Sequence, residues 1–181
     1  MFFFTSDTHF GHANIIKFCD RPFEDVNEMD ERLIDNWNAR VTNHDTVFVI
    51  GDMFFKSETN PEEILAQLKG HKHLILGNHD FGWLAKLSMV GKYFESVDNY
   101  KEYAANGRNY VMCHYPLVSY RHDSKWYMIH GHIHNDTNLE FWSILRNRPR
   151  ILNAGVDVNN FYPVTFEELE KNNIAFKEAH L

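Results

Sequence analysis

The stretch Leu74-Ile75-Leu76-Gly77-Asn78-His79-Asp80 sets apolar residues able to fill a buried strand directly against a glycine, an amide, an imidazole and a carboxylate. The three polar side chains at the strand exit have little packing value there. They suit metal binding or proton transfer, because functional groups concentrate on loops held by a rigid sheet. The same order recurs in Phe2-Phe3-Phe4-Thr5-Ser6-Asp7-Thr8-His9, Val47-Phe48-Val49-Ile50-Gly51-Asp52, Tyr110-Val111-Met112-Cys113-His114 and Tyr127-Met128-Ile129-His130-Gly131-His132-Ile133-His134. Five strand ends are therefore expected to converge on one place.

Between these strands the periodicity changes. Val26, Met29, Leu33, Trp37 and Val41 recur at three- and four-residue steps and predict an amphipathic helix. Asn60-Pro61-Glu62-Glu63 predicts a helix start with an amide cap and proline at the first position, the helix ending near Gly70. Shorter helices are expected over His12 to Phe18 and Phe81 to Gly91. Asn106-Gly107 predicts a tight hairpin between Tyr100–Ala104 and Asn109–Cys113. A strand at Ile151–Ala154 follows, and Thr165-Phe166-Glu167-Glu168 has the form of a capping box opening a last short helix. Strands and helices early, with a hairpin later, predict an α/β protein whose sheets are mixed.

A chain of 181 residues is expected to form one domain, 1–181, large enough to bury a core without staples. Apolar residues at 44% and charged residues at 24% exclude a disordered chain. No apolar run approaches the roughly 20 residues that span a bilayer, and the start lacks the basic flank of a signal peptide. A cytoplasmic protein without a membrane partner is the expectation. The two cysteines, Cys19 and Cys113, have neither the spacing of a zinc motif nor that of a disulfide framework. A formal net charge of −7 weighs against a broad grip on long nucleic acid. Of twelve histidines, five (His9, His79, His114, His132, His134) lie at the strand ends.

The collected polar groups are Asp7, His9, Asp52, Asn78, His79, His114, His132 and His134. Carboxylate, imidazole and amide oxygen suit manganese, iron, zinc or cobalt. They are too many for one ion and enough for two that share a carboxylate, roughly 3.5–4 Å apart. Asp7 and His9 are two residues apart, as are His132 and His134, so in an extended chain each pair projects to one side. Gly51, Gly77 and Gly131 suit sharp turning or close backbone approach at the site. Taken singly, an aspartate after a strand is more often a cap or turn former, and a lone histidine more often a backbone-bonded one. The ordered set of eight reverses that balance.

In order and spacing, Asp7-x-His9, Gly51-Asp52, Gly77-Asn78-His79-Asp80, His114 and Gly131-His132-x-His134 resemble the five signature blocks of the calcineurin-like metallophosphoesterases. Asp7-Thr8-His9-Phe10-Gly11-His12, Arg21-Pro22-Phe23 and Asn153-Ala154-Gly155-Val156-Asp157-Val158-Asn159 are similar to small single-domain members from bacteria and phages. The resemblance implies a four-layer α/β/β/α sandwich of two mixed sheets and two divalent cations. Manganese is the first expectation, with iron, zinc, nickel, cobalt or magnesium as alternatives. It implies that Asp7, His9, Asp52 and His134 hold one ion, and Asp52, Asn78, His114 and His132 the other, with Asp52 bridging. A hydroxide between the ions would attack phosphorus, His79 would assist the leaving group, and Asp80 would orient that imidazole.

The reaction so implied is hydrolysis of a small phosphodiester. A phosphomonoesterase, a nuclease and a non-catalytic metal-binding scaffold are the competing readings. His12 and Arg21 are candidate substrate contacts, as are Arg121 and His122 from the loop at 116–126. Helix capping is the plain alternative for His12, and a solvated surface place for the other three. His71, His73 and His180 read as surface residues.

Overall fold

The computed structural model describes residues 1–55 and 60–180. Strands β1 (Phe2–Thr5), β2 (Thr46–Val49), β3 (His71–Ile75) and β4 (Ser96–Asp98) form one sheet in that order, every pair parallel. A single antiparallel bridge, Phe4 to Val164, lies on the outer edge of β1. Strands β5 (Lys101–Ala105), β6 (Arg108–Met112), β7 (Tyr127–His130) and β8 (Ile151–Asn153) form the second sheet. Here β5 and β6 are antiparallel and the remaining pairs parallel, so the mixed character lies in this sheet. The hairpin turns on Asn106 (φ 52°) and Gly107 (φ 73°), both in the left-handed region that an Asn-Gly turn requires.

Among the described residues, six α-helices accompany the strands: α1 (Ala13–Phe18), α2 (Val26–Arg40), α3 (Pro61–Leu65), α4 (Asp80–Leu84), α5 (Trp142–Arg146) and α6 (Phe166–Ala179). Strand alternation assigns each face of each sheet a partner. Phe3, Val47, Val49 and Leu74 pack with Met29, Leu33 and Trp37 of α2 and Ile64 and Leu65 of α3. Phe4, Phe48, Ile50 and Ile75 point the other way, against Tyr110, Met112, Ile129 and Leu152 of the second sheet. Val111, Met128 and Ile151 cover the far face and meet Trp142, Leu145 and Phe176. The layers are thus α/β/β/α, as expected. Each large side chain buried this way contributes roughly 1.5–3 kcal/mol before the entropy of ordering is set against it. That packing holds the strand ends in register.

Helix α2 begins as the pattern predicts, with the Asp25 carboxylate accepting from the N–H groups of Asn27 and Glu28. The Thr165–Glu168 capping box forms, and α6 runs for 14 residues, longer than expected. Helix α3 stops at Leu65 instead of near Gly70. Tertiary groups take the backbone beyond it: Trp37 Nε1 donates to the Lys69 carbonyl, and the Lys72 ammonium to those of Leu68 and Gly70. The helix expected over 81–91 reduces to α4 and a 3-10 turn at Val90–Lys92. Among the described residues, no helix is long and apolar enough to cross a membrane.

Candidate metal centre

The loops that leave β1, β2, β3, β6 and β7 meet at one edge of the two sheets. Five of the residues expected there are non-glycine residues in the left-handed region: Asp7 (φ 55°), His9 (51°), Asp52 (52°), His132 (72°) and His134 (48°). Such conformations cost of order 1–3 kcal/mol each and persist where the surroundings over-determine them, as at ligand clamps. Here the backbone zips the first two loops together. Asp7 N donates to Gly51 O at 3.0 Å, His9 N to Asp52 O at 3.1 Å and Phe10 N to Met53 O at 2.9 Å. The glycines serve close approach. A Cβ on Gly51 would enter the His114 ring, one on Gly77 the Asp52 carboxylate, and one on Gly131 the Ser6 hydroxyl and Asp7 carboxylate.

Asp7, His9 and His134 place potential ligand atoms within 4.8 Å of one another, and so do Asp52, His114 and His132. Asp52 Oδ2 lies between the groups: 3.3 Å from His114 Nε2, 3.7 Å from His9 Nε2 and 3.9 Å from His79 Nε2. Asn78 Oδ1 is 3.2 Å from His114 Nε2. The fold therefore gathers all eight residues. Whether they fit a cation is tested by the nitrogen atoms. His9 Nε2 is buried without a hydrogen-bond partner, a state that costs roughly 1–3 kcal/mol unless something engages its lone pair. His114 Nδ1 lies 2.8 Å from the Ile50 carbonyl and His134 Nδ1 2.9 Å from Asp157 Oδ2, which places a proton on each Nδ1 and turns Nε2 inward. Metal-binding imidazoles are oriented in this way. Two carboxylates, four imidazoles and an amide oxygen fit divalent cations of borderline softness.

Burial and the neighbouring charges pull the titratable groups of the cluster in opposite directions. Burial alone would depress His114, but its bond to Asp52 and the charges of Asp7 and Asp52 raise it to about 9. Burial is likewise overcome at His134, which its bond to Asp157 lifts to about 11. Burial would raise Asp52, yet His114 holds it at about 2. His9 and His132 are both lowered, chiefly by burial. A ligand histidine must be neutral, so cation uptake near neutral pH is expected to release about two protons and to tighten as pH rises. Calorimetric titration with manganese in buffers of different ionisation enthalpy measures this; a buffer-independent enthalpy would contradict it.

Two expected roles are corrected. Arg21, a candidate phosphate contact, has a fully buried side chain whose donors are spent inside the protein. Nε and Nη2 bind the Asp157 carboxylate at 2.8 and 3.1 Å, while Nη1 and Nη2 donate to the carbonyls of Thr8 (2.9 Å) and Asp7 (2.7 Å). It braces the Asp7 loop and, through Asp157, the His134 ring. Asp80 does not orient His79. Its oxygens are filled by four donors: Asp52 N (2.9 Å), Met53 N (3.0 Å), Gly77 N (2.7 Å) and Trp83 Nε1 (2.8 Å). The residue next to His79 thus organises the Asp52 loop. For Asp157 the sequence offers only its place in the stretch 153–159 that resembles small members of the family, with no role attached to the carboxylate.

His79 hangs from the same loop, its N–H donating to Asp52 Oδ1 at 2.9 Å, with a ring that is 37% exposed. His12 makes no side-chain cap; its ring stacks on Phe55 at 3.8 Å, and its Nδ1 lies 3.4 Å from His9 Nδ1. Both His12 and His79 line a cleft of about 820 Å³ that opens from the site. Arg121 instead pairs with Glu102 at 2.7 Å, and His122 packs on Trp126; neither lines the cleft. His71 and His180 are exposed as expected, whereas His73 is half-buried, stacked on Phe48 and bonded to the Ser96 hydroxyl.

A family model described as calcineurin-like phosphoesterase matches residues 1–176. An uncharacterized protein of Methanocaldococcus jannaschii is 36% identical over 168 residues, covering 92% of this chain and 87% of that one. The Gene 66 protein of Mycobacterium phage L5 is 30% identical over 160 residues, covering 73% and 76%. The crystal structure of a protein of unknown function from Aquifex aeolicus superposes with a TM-score of 0.72 at 26% identity, covering 94% of this chain and 98% of the other. The family match runs through the loops that carry the donor residues, and the chain belongs to the calcineurin-like phosphoesterases, a metal-dependent family of phosphoester hydrolases.

Proposed function

We propose that the protein is a phosphodiesterase working with two divalent cations, manganese foremost. Asp7, His9, Asp52 and His134 would hold one cation, and Asp52, Asn78, His114 and His132 the other. The observation that carries this reading is the position of Asp52 Oδ2, 3.7 Å from His9 Nε2 of one donor group and 3.3 Å from His114 Nε2 of the other. Cations bound there would polarise a phosphoryl oxygen and make a nucleophile available at neutral pH. The chain's own contribution is positional. His79 faces the cleft and can donate a proton to the departing oxygen, the work of a general acid. Arg21 and Asp157 keep the His134 ring in place.

Charge favours a diester. A phosphomonoester carries a second negative charge above its pKa of about 6, and a diester does not. Apart from the histidines, the titratable side chains among the described residues lining the cleft that carry charge at neutral pH are Asp20 and Asp136, both of which oppose that extra charge. The same acids and the net charge of −7 disfavour long nucleic acid and fit a small substrate. Protein stripped by chelation and reloaded with manganese is expected to hydrolyse an aryl phosphodiester with kcat/KM at least about tenfold above the matching monoester. Activity should vanish on stripping and return on reloading. An equal or greater rate on the monoester would overturn the diester assignment, and a metal-replete protein inert on both would remove the enzyme reading.

A further inference from the structure

We infer that the wall of the cleft between α1 and residues 135–141 is a subsite for a planar aromatic group, and that the substrate is a small phosphodiester bearing a nucleobase. This deepens the phosphodiesterase reading and rests on it. A run of rings leads from the reacting centre to the rim. His79 meets Phe55 edge-on at 4.7 Å, Phe55 stacks on His12 at 3.8 Å, and His12 meets Phe18 edge-on at 6.2 Å. Phe18, the last residue of α1, is 73% exposed, and Phe141 is 39% exposed; both line the cleft. One exposed phenyl group needs no explanation. Two on the walls of one cleft, of which Phe18 connects to the proposed general acid through successive ring contacts, form a surface suited to a flat apolar ligand.

The polar groups of the same walls narrow the ligand. Asn14 and Asn138 each offer a donor and an acceptor on one side chain, as the edge of a nucleobase requires. Asp20 and Asp136 repel additional phosphates, which favours a single diester over a long strand. Aromatic side chains accept any base on their faces, so this subsite selects for the presence of a base more than for its identity.

The test compares thymidine methyl phosphate with dimethyl phosphate on manganese-loaded protein. Each is used as a competitive inhibitor of aryl phosphodiester hydrolysis and, independently, as a calorimetric titrant. The nucleoside ester is expected to bind at least about tenfold more tightly, the order that base stacking supplies. Phe18→Ser, at an exposed position that leaves the core intact, and Phe141→Ser should bring the two affinities to within about twofold. Equal affinities in the native protein, with the aryl diester still hydrolysed, would overturn the subsite and leave the phosphodiesterase reading standing. If no aryl diester is turned over, that reading falls and calorimetry decides the subsite alone. A preference dependent on Phe18 then upholds it, and no preference overturns it.

Discussion

Asp52→Ala is expected to lower kcat/KM by roughly 10³-fold or more and to cut bound manganese from about two ions per chain to at most about one. The expectation exceeds the 10–100-fold usual for losing a residue that only supports a ligand. Asp52 Oδ2 stands close to imidazoles from both donor groups, and the side chain is only 3% exposed. Its removal also leaves His114, held at about 9 by that carboxylate, without its counter-charge. Asp52→Asn retains an oxygen for the His79 N–H and separates the loss of charge from collapse of the loop. His79→Ala is the contrasting variant. It should keep its full metal content and slow turnover by about 10²–10⁴-fold, as loss of a positioned acid does. Elemental analysis beside steady-state kinetics reads both, and an Asp52→Ala protein retaining two ions and full turnover would end the shared-carboxylate reading.

The layering is legible only through the family resemblance, and the structure supplies its physical reason in strand runs that are apolar on both faces. Phe3 and Phe4, or Val47 and Phe48, can only face opposite sides of a sheet, and the structure gives each its own apolar partner. Strand β4 left no such trace, since Ser96-Val97-Asp98 contains one apolar residue and owes its place to pairing with β3. The end of α3 was hidden for a related reason. Beyond Leu65 the carbonyls are taken by Trp37, 32 positions away, and by the buried Lys72 ammonium, whose burial is set by the fold and not by its neighbours in sequence.

The candidate site divides along the same line. Asp7, His9, Asp52, Asn78, His79, His114, His132 and His134 could be picked out because each sits where an apolar run ends, and geometry then brought them together. Their glycines were readable too, since only a missing Cβ lets the Asp7 and Asp52 carboxylates approach so closely. The residues whose roles were misread are those whose meaning depends on a distant partner. Arg21 becomes a brace through the carbonyls of Asp7 and Thr8 and through Asp157, 136 positions further on. Asp80 follows His79 in the chain, and that adjacency suggested a contact the carboxylate does not make.

Asp80→Ala separates the two roles by magnitude. A residue that merely steered the His79 ring would leave the melting temperature and metal content unchanged on removal. The structure sets a larger loss, because four donors, from Asp52, Met53, Gly77 and Trp83, converge on a carboxylate that is 0% exposed. Each buried N–H left without an acceptor costs roughly 1–3 kcal/mol, and partial relaxation brings the total to about 3–5 kcal/mol. For a chain of this size that corresponds to a melting temperature lower by roughly 10 °C. Two of the donors belong to Asp52 and its neighbour, so manganese affinity should fall in the same variant. Asp80→Asn keeps one acceptor oxygen but turns an NH2 group toward backbone donors, and it is expected to recover at most part of the loss. A melting curve and a metal titration on both variants decide the matter: native stability with slowed turnover alone would return Asp80 to the side of His79.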